Sequence, residues 1–164
     1  MNKRIEKFLN ENKIKYEAVL HKKVFTAIDK AATLRVKPKL SGKTLVLKAD
    51  KDFVMALIPA NKNLNKEALK KVINVQRKKS GQTRIKKIDF ATEAKIKKVF
   101  KGAKIGGVVP FGALWKKIIF VEKLFLKEKF IFINSGDYFQ SLKISPKIFQ
   151  KLPDCFFGSF SKSK

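Results

Sequence analysis

Gly42-Lys43-Thr44-Leu45-Val46-Leu47-Lys48-Ala49, then Asp50-Lys51-Asp52, then the apolar run 53–60, decides the architecture of this 164-residue chain. Two apolar runs of strand length flank a short polar turn, which is a β-hairpin signal. Neither run alternates cleanly with polar residues, so both strands belong at the centre of a sheet with covered faces. Lys43 stands at the mouth of the first strand, directly after Gly42.

Upstream of the hairpin, Ile5, Phe8 and Leu9 share one helical face, giving a first helix to about Asn12. Residues 16–20 alternate like a strand. Thr26 caps a second helix carrying Ala27, Ala31, Ala32 and Leu34. Downstream, Asn63 or Asn65 caps a helix that turns Leu69, Val72 and Ile73 inward. A short strand near 84–88 follows the Ser80-Gly81 turn. Thr92 opens another helix, which Gly102 closes. Strands follow near 117–121, 130–134 and 141–144, and Ser145-Pro146 starts a last short helix. Residues 153–164 read as a C-terminal tail. The order predicts one α+β domain over residues 1–164, built on a mixed, strongly curved β-sheet with flanking helices. The fifteen phenylalanines are assigned to its core; a base-stacking role would require that some be exposed.

A formal charge of +26 directs the chain toward polyanions, whether RNA, DNA or an anionic membrane surface. Almost all of that charge is lysine, and the arginines are only Arg4, Arg35, Arg77 and Arg84. Arginine is the usual residue for bidentate phosphate recognition, so the excess fits a compositional bias as well as a binding surface. The chain has 45% hydrophobic residues and one cysteine, Cys155. That excludes an intramolecular disulfide and a Cys-rich metal site, and points to an inert thiol. No apolar stretch reaches membrane-span length and no signal-peptide pattern opens the sequence, so the expected location is cytoplasmic with no membrane partner.

The chain lacks a G-x-S-x-G elbow, a Walker loop, H-E-x-x-H and C-x-x-C. Its sole histidine, His21, lies between a strand and a helix, where a structural role competes with that of a base. No set of metal ligands is present. The segment Gly106-Gly107-Val108-Val109-Pro110-Phe111-Gly112 carries more. Glycines allow close backbone approach, Pro110 fixes the path, and the amides can face a developing oxyanion. The same loop also suits a plain helix-to-strand connection. Lys43 can hold a phosphate or carbonyl oxygen at the sheet edge. Gly136, in Asn134-Ser135-Gly136-Asp137, is either a pocket wall or only a hairpin turn.

Taken in order, these segments resemble the YbaK/prolyl-tRNA-synthetase-associated editing domain over nearly the whole chain. The resemblance is carried by Phe8-Leu9-Asn10-Glu11-Asn12-Lys13-Ile14-Lys15-Tyr16 with His21 and Phe25-Thr26-Ala27, and by Gly42 to Asp50. It continues in Leu64-Asn65-Lys66-Glu67-Ala68-Leu69, Ala91-Thr92-Glu93, the Gly106/Pro110 pair and Ile133-Asn134-Ser135-Gly136. It implies a free-standing aminoacyl-tRNA deacylase that needs no cofactor, metal or protein nucleophile. Its substrate would be a small amino acid, Ala or Cys, on tRNA for proline. Water or a group of the substrate would attack the ester.

The resemblance implies that Lys43, Gly106 and Pro110 carry catalysis, and that His21, Thr26, Gly107, Gly112, Gly136 and Asp137 line the substrate. Lys95, Lys98, Lys101 and Lys104, with Lys97 beside them, would meet the acceptor stem, or form a solvated face. Implied partners are the aminoacylated 3′ end, the acceptor stem and prolyl-tRNA synthetase. Asp137-Tyr138-Phe139 stands where some members carry a histidine. The rival is a non-catalytic RNA-binding module of the same fold. A peripheral membrane or acidic-partner protein is a third reading.

Overall fold

The computed structural model describes residues 1–164. The decisive hairpin forms as read: β2 (Gly42–Ala49) and β3 (Asp52–Pro59) pair antiparallel from Gly42 opposite Pro59 to Ala49 opposite Asp52. Asp50 takes a left-handed conformation, with φ of 53°. Aspartate tolerates this geometry well in short hairpin turns.

Around that hairpin run α1 (Lys3–Glu11), β1 (Tyr16–Leu20), α2 (Ala27–Leu34), β4 (Lys62–Leu64) and α3 (Lys66–Lys79). Then come β5 (Ile88–Phe90), α4 (Glu93–Val99), β6 (Ile119–Glu122), β7 (Ile131–Asn134), β8 (Gln140–Ile144), β9 (Cys155–Gly158) and β10 (Ser161–Ser163). Capping follows the sequence signals. Thr26 accepts the Asp29 N–H at 3.1 Å and Thr92 the Lys95 N–H at 3.2 Å. Asn65 caps α3 by accepting from Ala68 at 3.1 Å, while Asn63 lies in β4.

The fold is α+β with mixed strand directions, but the single strongly curved sheet is corrected to three sheets. Their orders are β5-β2-β3-β6-β9, β1-β8-β7 and β10-β4. The first is mixed: β5, β2 and β3 are antiparallel, whereas β6 runs parallel to both β3 and β9. Continuity fails at the outer edge of β2. It pairs with β5 over only Leu47–Ala49, and β7 meets the lead-in to β2 through one bridge, Ser41 with Phe132.

Alternation along the central strands makes two cores, as strand geometry requires. Val46, Met55, Leu57, Ile119 and Val121 face α1 and the three-stranded sheet. Leu47, Val54, Ala56, Ile58 and Phe120 face Leu69 and Ile73 of α3.

Two further expectations shift. The strand near 84–88 moves to Ile88–Phe90 because side chains capture the preceding backbone. Asn74 brackets Ile85 at 2.8 and 3.2 Å, and the Asp50 carboxylate accepts from Lys86 and Lys87. Those same N–H groups hold the Asp50 pKa below its ordinary value. The segment 153–164 does not trail. It supplies β9 at the edge of the main sheet and β10 against β4. Buried Glu122 holds it by accepting from Phe160 and Ser161 at 2.9 and 2.8 Å.

Candidate active site

The 106–112 loop begins where α4 stops. The helix ends at Val99, three residues before Gly102, with Phe100 fully buried as its cap. Trp115 packs edge-on against Phe100 and donates to the Lys101 carbonyl at 2.9 Å. Gly106 is forced to be glycine twice over. Its φ is +79°, and a Cβ there would stand 2.8 Å from the Phe25 carbonyl oxygen. Val108, Val109 and Phe111 are almost wholly buried. This loop is therefore anchored by its own apolar side chains.

Its amides are mostly unspent. Among the four N–H groups of residues 106–109, only that of Gly107 finds a protein acceptor, the Lys104 carbonyl at 2.9 Å. Buried backbone donors ordinarily have partners, so the Val108 and Val109 amides are available to an oxygen from outside the chain. Val108 and Val109 line a small cavity of about 110 Å³, together with Gly107, Gly136, Arg4 and Trp115.

Three side chains clamp the loop to the turn between β7 and β8. The Tyr138 hydroxyl donates to the Ile105 carbonyl at 2.6 Å. The Lys104 ammonium bonds Asp137 at 3.1 Å. The Asn134 amide donates to the Val108 carbonyl at 3.0 Å. Gly136 completes the turn at φ of +93°, with the Ile5 side chain 2.9 Å from where a Cβ would lie. Asp137 also pairs with the Met1 ammonium, and together these cations hold its pKa below the usual carboxylate value.

The connector from β1 to α2 joins the same cluster. The His21 and Val24 N–H groups donate to Phe139 and Tyr138 carbonyls at 2.8 and 3.1 Å. The His21 Nδ1 lies 2.8 Å from the Lys22 carbonyl, so that nitrogen carries the proton, and Nε2 accepts from the Ser141 hydroxyl at 2.8 Å. This resembles a serine–histidine pair in bonding alone. Ser141 has no exposed surface, so its oxygen cannot reach a substrate and the bond fixes the His21 ring. No group of three or more His, Cys, Asp or Glu side chains gathers anywhere in the fold.

Of the predicted residues, Gly107, Gly136, Lys101 and Lys104 line the cavity. Gly106 adjoins it against Phe25, Asp137 through its ion pair with Lys104, and His21 through the Phe139 carbonyl, while Pro110 is buried and does not border it. Thr26 is engaged as the cap of α2. Gly112 belongs to the packing beneath the loop: a Cβ there would lie 2.2 Å from the Lys117 carbonyl oxygen. Lys95, Lys97, Lys98 and Lys101 are exposed on α4 and just beyond it.

Lys43 stands apart. It lies in β2 opposite Ile58, on the face of Leu45 and Leu47, two residues beyond the Ser41–Phe132 bridge. It is half-buried, makes no ion pair or side-chain hydrogen bond, and does not border the cavity. Burial first, and Lys164 second, lower its pKa below the ordinary lysine value. Cys155 is half-buried, and its thiol pKa is pushed up by burial and by Asp154.

Sequence reasoning missed Lys30. It is buried on α2, its ammonium donates to the Asn134 side chain, and burial lowers its pKa to about 8. Lys30 thereby braces Asn134, which in turn holds Val108. The signal was present: Lys30 sits three residues after Ala27 and four before Leu34, on the inward face of the helix.

A family model described as the aminoacyl-tRNA editing domain matches residues 21–152. No curated protein matches the chain. Among solved structures, the hypothetical protein APE2540 aligns with a TM-score of 0.79 at 18% identity, covering 98% of this chain and 100% of that one. A proposed trans-editing enzyme for prolyl-tRNA synthetase aligns at 0.73 and 16%, covering 99% of each chain. A protein of Marinobacter aquaeolei VT8 assigned to signal transduction aligns at 0.67 and 13%, covering 98% of this chain and 31% of that one. At these identities the likeness shows the fold alone.

Proposed function

Because the chain belongs to the aminoacyl-tRNA editing domain family, we propose that it removes a wrongly attached small amino acid, Ala or Cys, from tRNA for proline. The observation that carries this reading is that Val108 and Val109, two residues whose amides have no protein acceptor, line a small cavity with Gly136. An aminoacyl ester is already prone to hydrolysis, so orientation and oxyanion stabilisation suffice.

The ester carbonyl oxygen would lie against those amides, with Gly107 and Gly136 as close walls. Attack by water, or first by a nucleophilic group of the substrate, breaks the bond to the ribose oxygen. Hydrolysis leaves free amino acid and a tRNA with its terminal hydroxyl restored. Lys43, with no acceptor of its own, would hold a phosphate or carbonyl oxygen of the bound 3′ end. The lysines of α4 and Lys104 would meet the acceptor stem, and prolyl-tRNA synthetase would be the partner that releases the mischarged product.

The rival, an RNA-binding module without chemistry, draws on one observation. The Asp137 carboxylate is already engaged by two cations, so it is unsuited to act as a base. Deacylation of Ala-, Cys-, Ser- and Pro-charged tRNA for proline decides between them. Rapid hydrolysis of one mischarged species supports the enzyme; tight binding of all four without hydrolysis supports the module.

A further inference from the structure

Most phenylalanines are in the core, but Phe25, Phe90 and Phe139 are more than half exposed. Two of these three, Phe25 and Phe139, flank Lys23 beside the loop described above. Phe25 meets Tyr138 edge-on with ring centroids 4.7 Å apart. The Lys23 ammonium lies 5.4, 5.9 and 5.8 Å from the ring centroids of Phe25, Tyr138 and Phe139. Leu20, 77% exposed, lies opposite Gln140, the residue that follows Phe139.

A cluster of exposed aromatics, unlike a single one, marks an interaction site. This cluster is also rigidly joined to the loop. The Phe25 carbonyl is the atom that Gly106 must avoid, and the Tyr138 hydroxyl is bonded to Ile105. The aromatic faces and the unspent amides are therefore neighbours in one framework.

We propose that Phe25, Tyr138 and Phe139, with Lys23 among them, form a stacking platform for an unpaired nucleobase at the 3′ end of the RNA. This rests on the deacylase reading for the position of the ester, and it names what holds the adjoining nucleotide. A base can lie on a phenylalanine face while Lys23 pairs with its phosphate, the combination found in sequence-tolerant single-strand recognition. Charge selects this occupant over an apolar peptide or a neutral membrane. The site is built around a cation, Lys22 lies next to it in the chain, and the protein carries +26 overall.

The test uses uncharged RNA, so hydrolysis plays no part. A fluorescent RNA hairpin with a single-stranded 3′ end is compared with the same hairpin made abasic at its terminal position. Phe139→Ala and Phe25→Ala should each weaken binding of the base-bearing hairpin by about 5- to 150-fold, the range for losing one stacked base. Both should leave the abasic hairpin unaffected, and Phe139→Trp should retain wild-type affinity. Both positions are exposed, and melting curves confirm that each variant folds.

Equal affinity of the wild type for the two hairpins overturns the platform, as does no binding of either. Unchanged binding by both alanine variants also overturns it, leaving the patch to a protein or membrane. Base-dependent binding without deacylation of the charged panel would remove the deacylase reading alone. Deacylation without base dependence would remove the platform alone.

Discussion

Lys30 on α2 and Lys43 on β2 differ in what burial has done with them. Both have pKa values lowered chiefly by desolvation. Lys30 is enclosed, and its ammonium bonds Asn134, which itself bonds the loop carbonyl of Val108. Lys43 is half-buried and has no protein partner. A buried cation needs its partner to be tolerated at all, so the first lysine belongs to the scaffold. The second retains a charge that nothing in the chain answers, which suits contact with an anionic substrate.

Lys43→Ala should break this comparison most sharply. Deacylation of the mischarged tRNA at subsaturating concentration should slow by about 10- to 100-fold, the loss expected for one charge-assisted hydrogen bond of roughly 1.5–3 kcal/mol, while the melting temperature stays in place. An unchanged rate in a folded variant would make Lys43 an ordinary strand lysine.

Lys30→Met sharpens the other half. Folding lowers the Lys30 pKa from 10.5 to about 8. Between those values the unfolded chain holds a proton that the folded chain has released, so wild-type stability rises with pH across the window. Below it both states are protonated and the burial penalty is fully present. The variant lacks this rise. The stability gap should therefore move toward the wild type by up to about 3 kcal/mol from pH 8 to 10.5, as read by denaturant titration. Parallel stability curves would show that Lys30 is solvated.

Gly106→Ala probes the loop that Lys30 braces. Positive φ and the Phe25 carbonyl together should cost about 1–3 kcal/mol. Gly81→Ala is the control, because Gly81 has φ of +71° with nothing within 4 Å of a Cβ. Equal losses would mean that the close approach to Phe25 contributes nothing. The smallest effect is expected on α4. Lys97→Ala and Lys98→Ala should each reduce the log–log salt slope of tRNA binding by about 0.7–0.9 if each neutralises one phosphate. An unaltered slope would make that face merely solvated.

The parts legible in the sequence are those that announce themselves locally. The hairpin declares itself by two apolar runs and a turn, and α2, α3 and α4 by Thr26, Asn65 and Thr92. The glycine–proline loop and the Gly136 turn were visible by residue type, and the structure places them together. What stayed hidden depends on distant partners. The run Cys155-Phe156-Phe157-Gly158 is too short to read as a strand until β6 lies beside it. Residues 84–87 read as a strand until Asp50 and Asn74 take their backbone groups. Tyr138 looked like a departure from the family pattern, and only the fold shows its hydroxyl clamping the loop.

The His21–Ser141 bond joins residues 120 positions apart. β1 has only β8 as a strand neighbour, so His21 gains its place after nearly the whole chain exists. At synthesis rates of roughly 5–20 residues per second, the interval between the two residues is on the order of 10 s. Through that time β1 and the exposed Leu20 and Phe25 have no finished sheet to rest on. The His21 corner is therefore among the late parts of the molecule to assemble, with only the strands β9 and β10 made after β8, and it depends on protection while the chain is still being made.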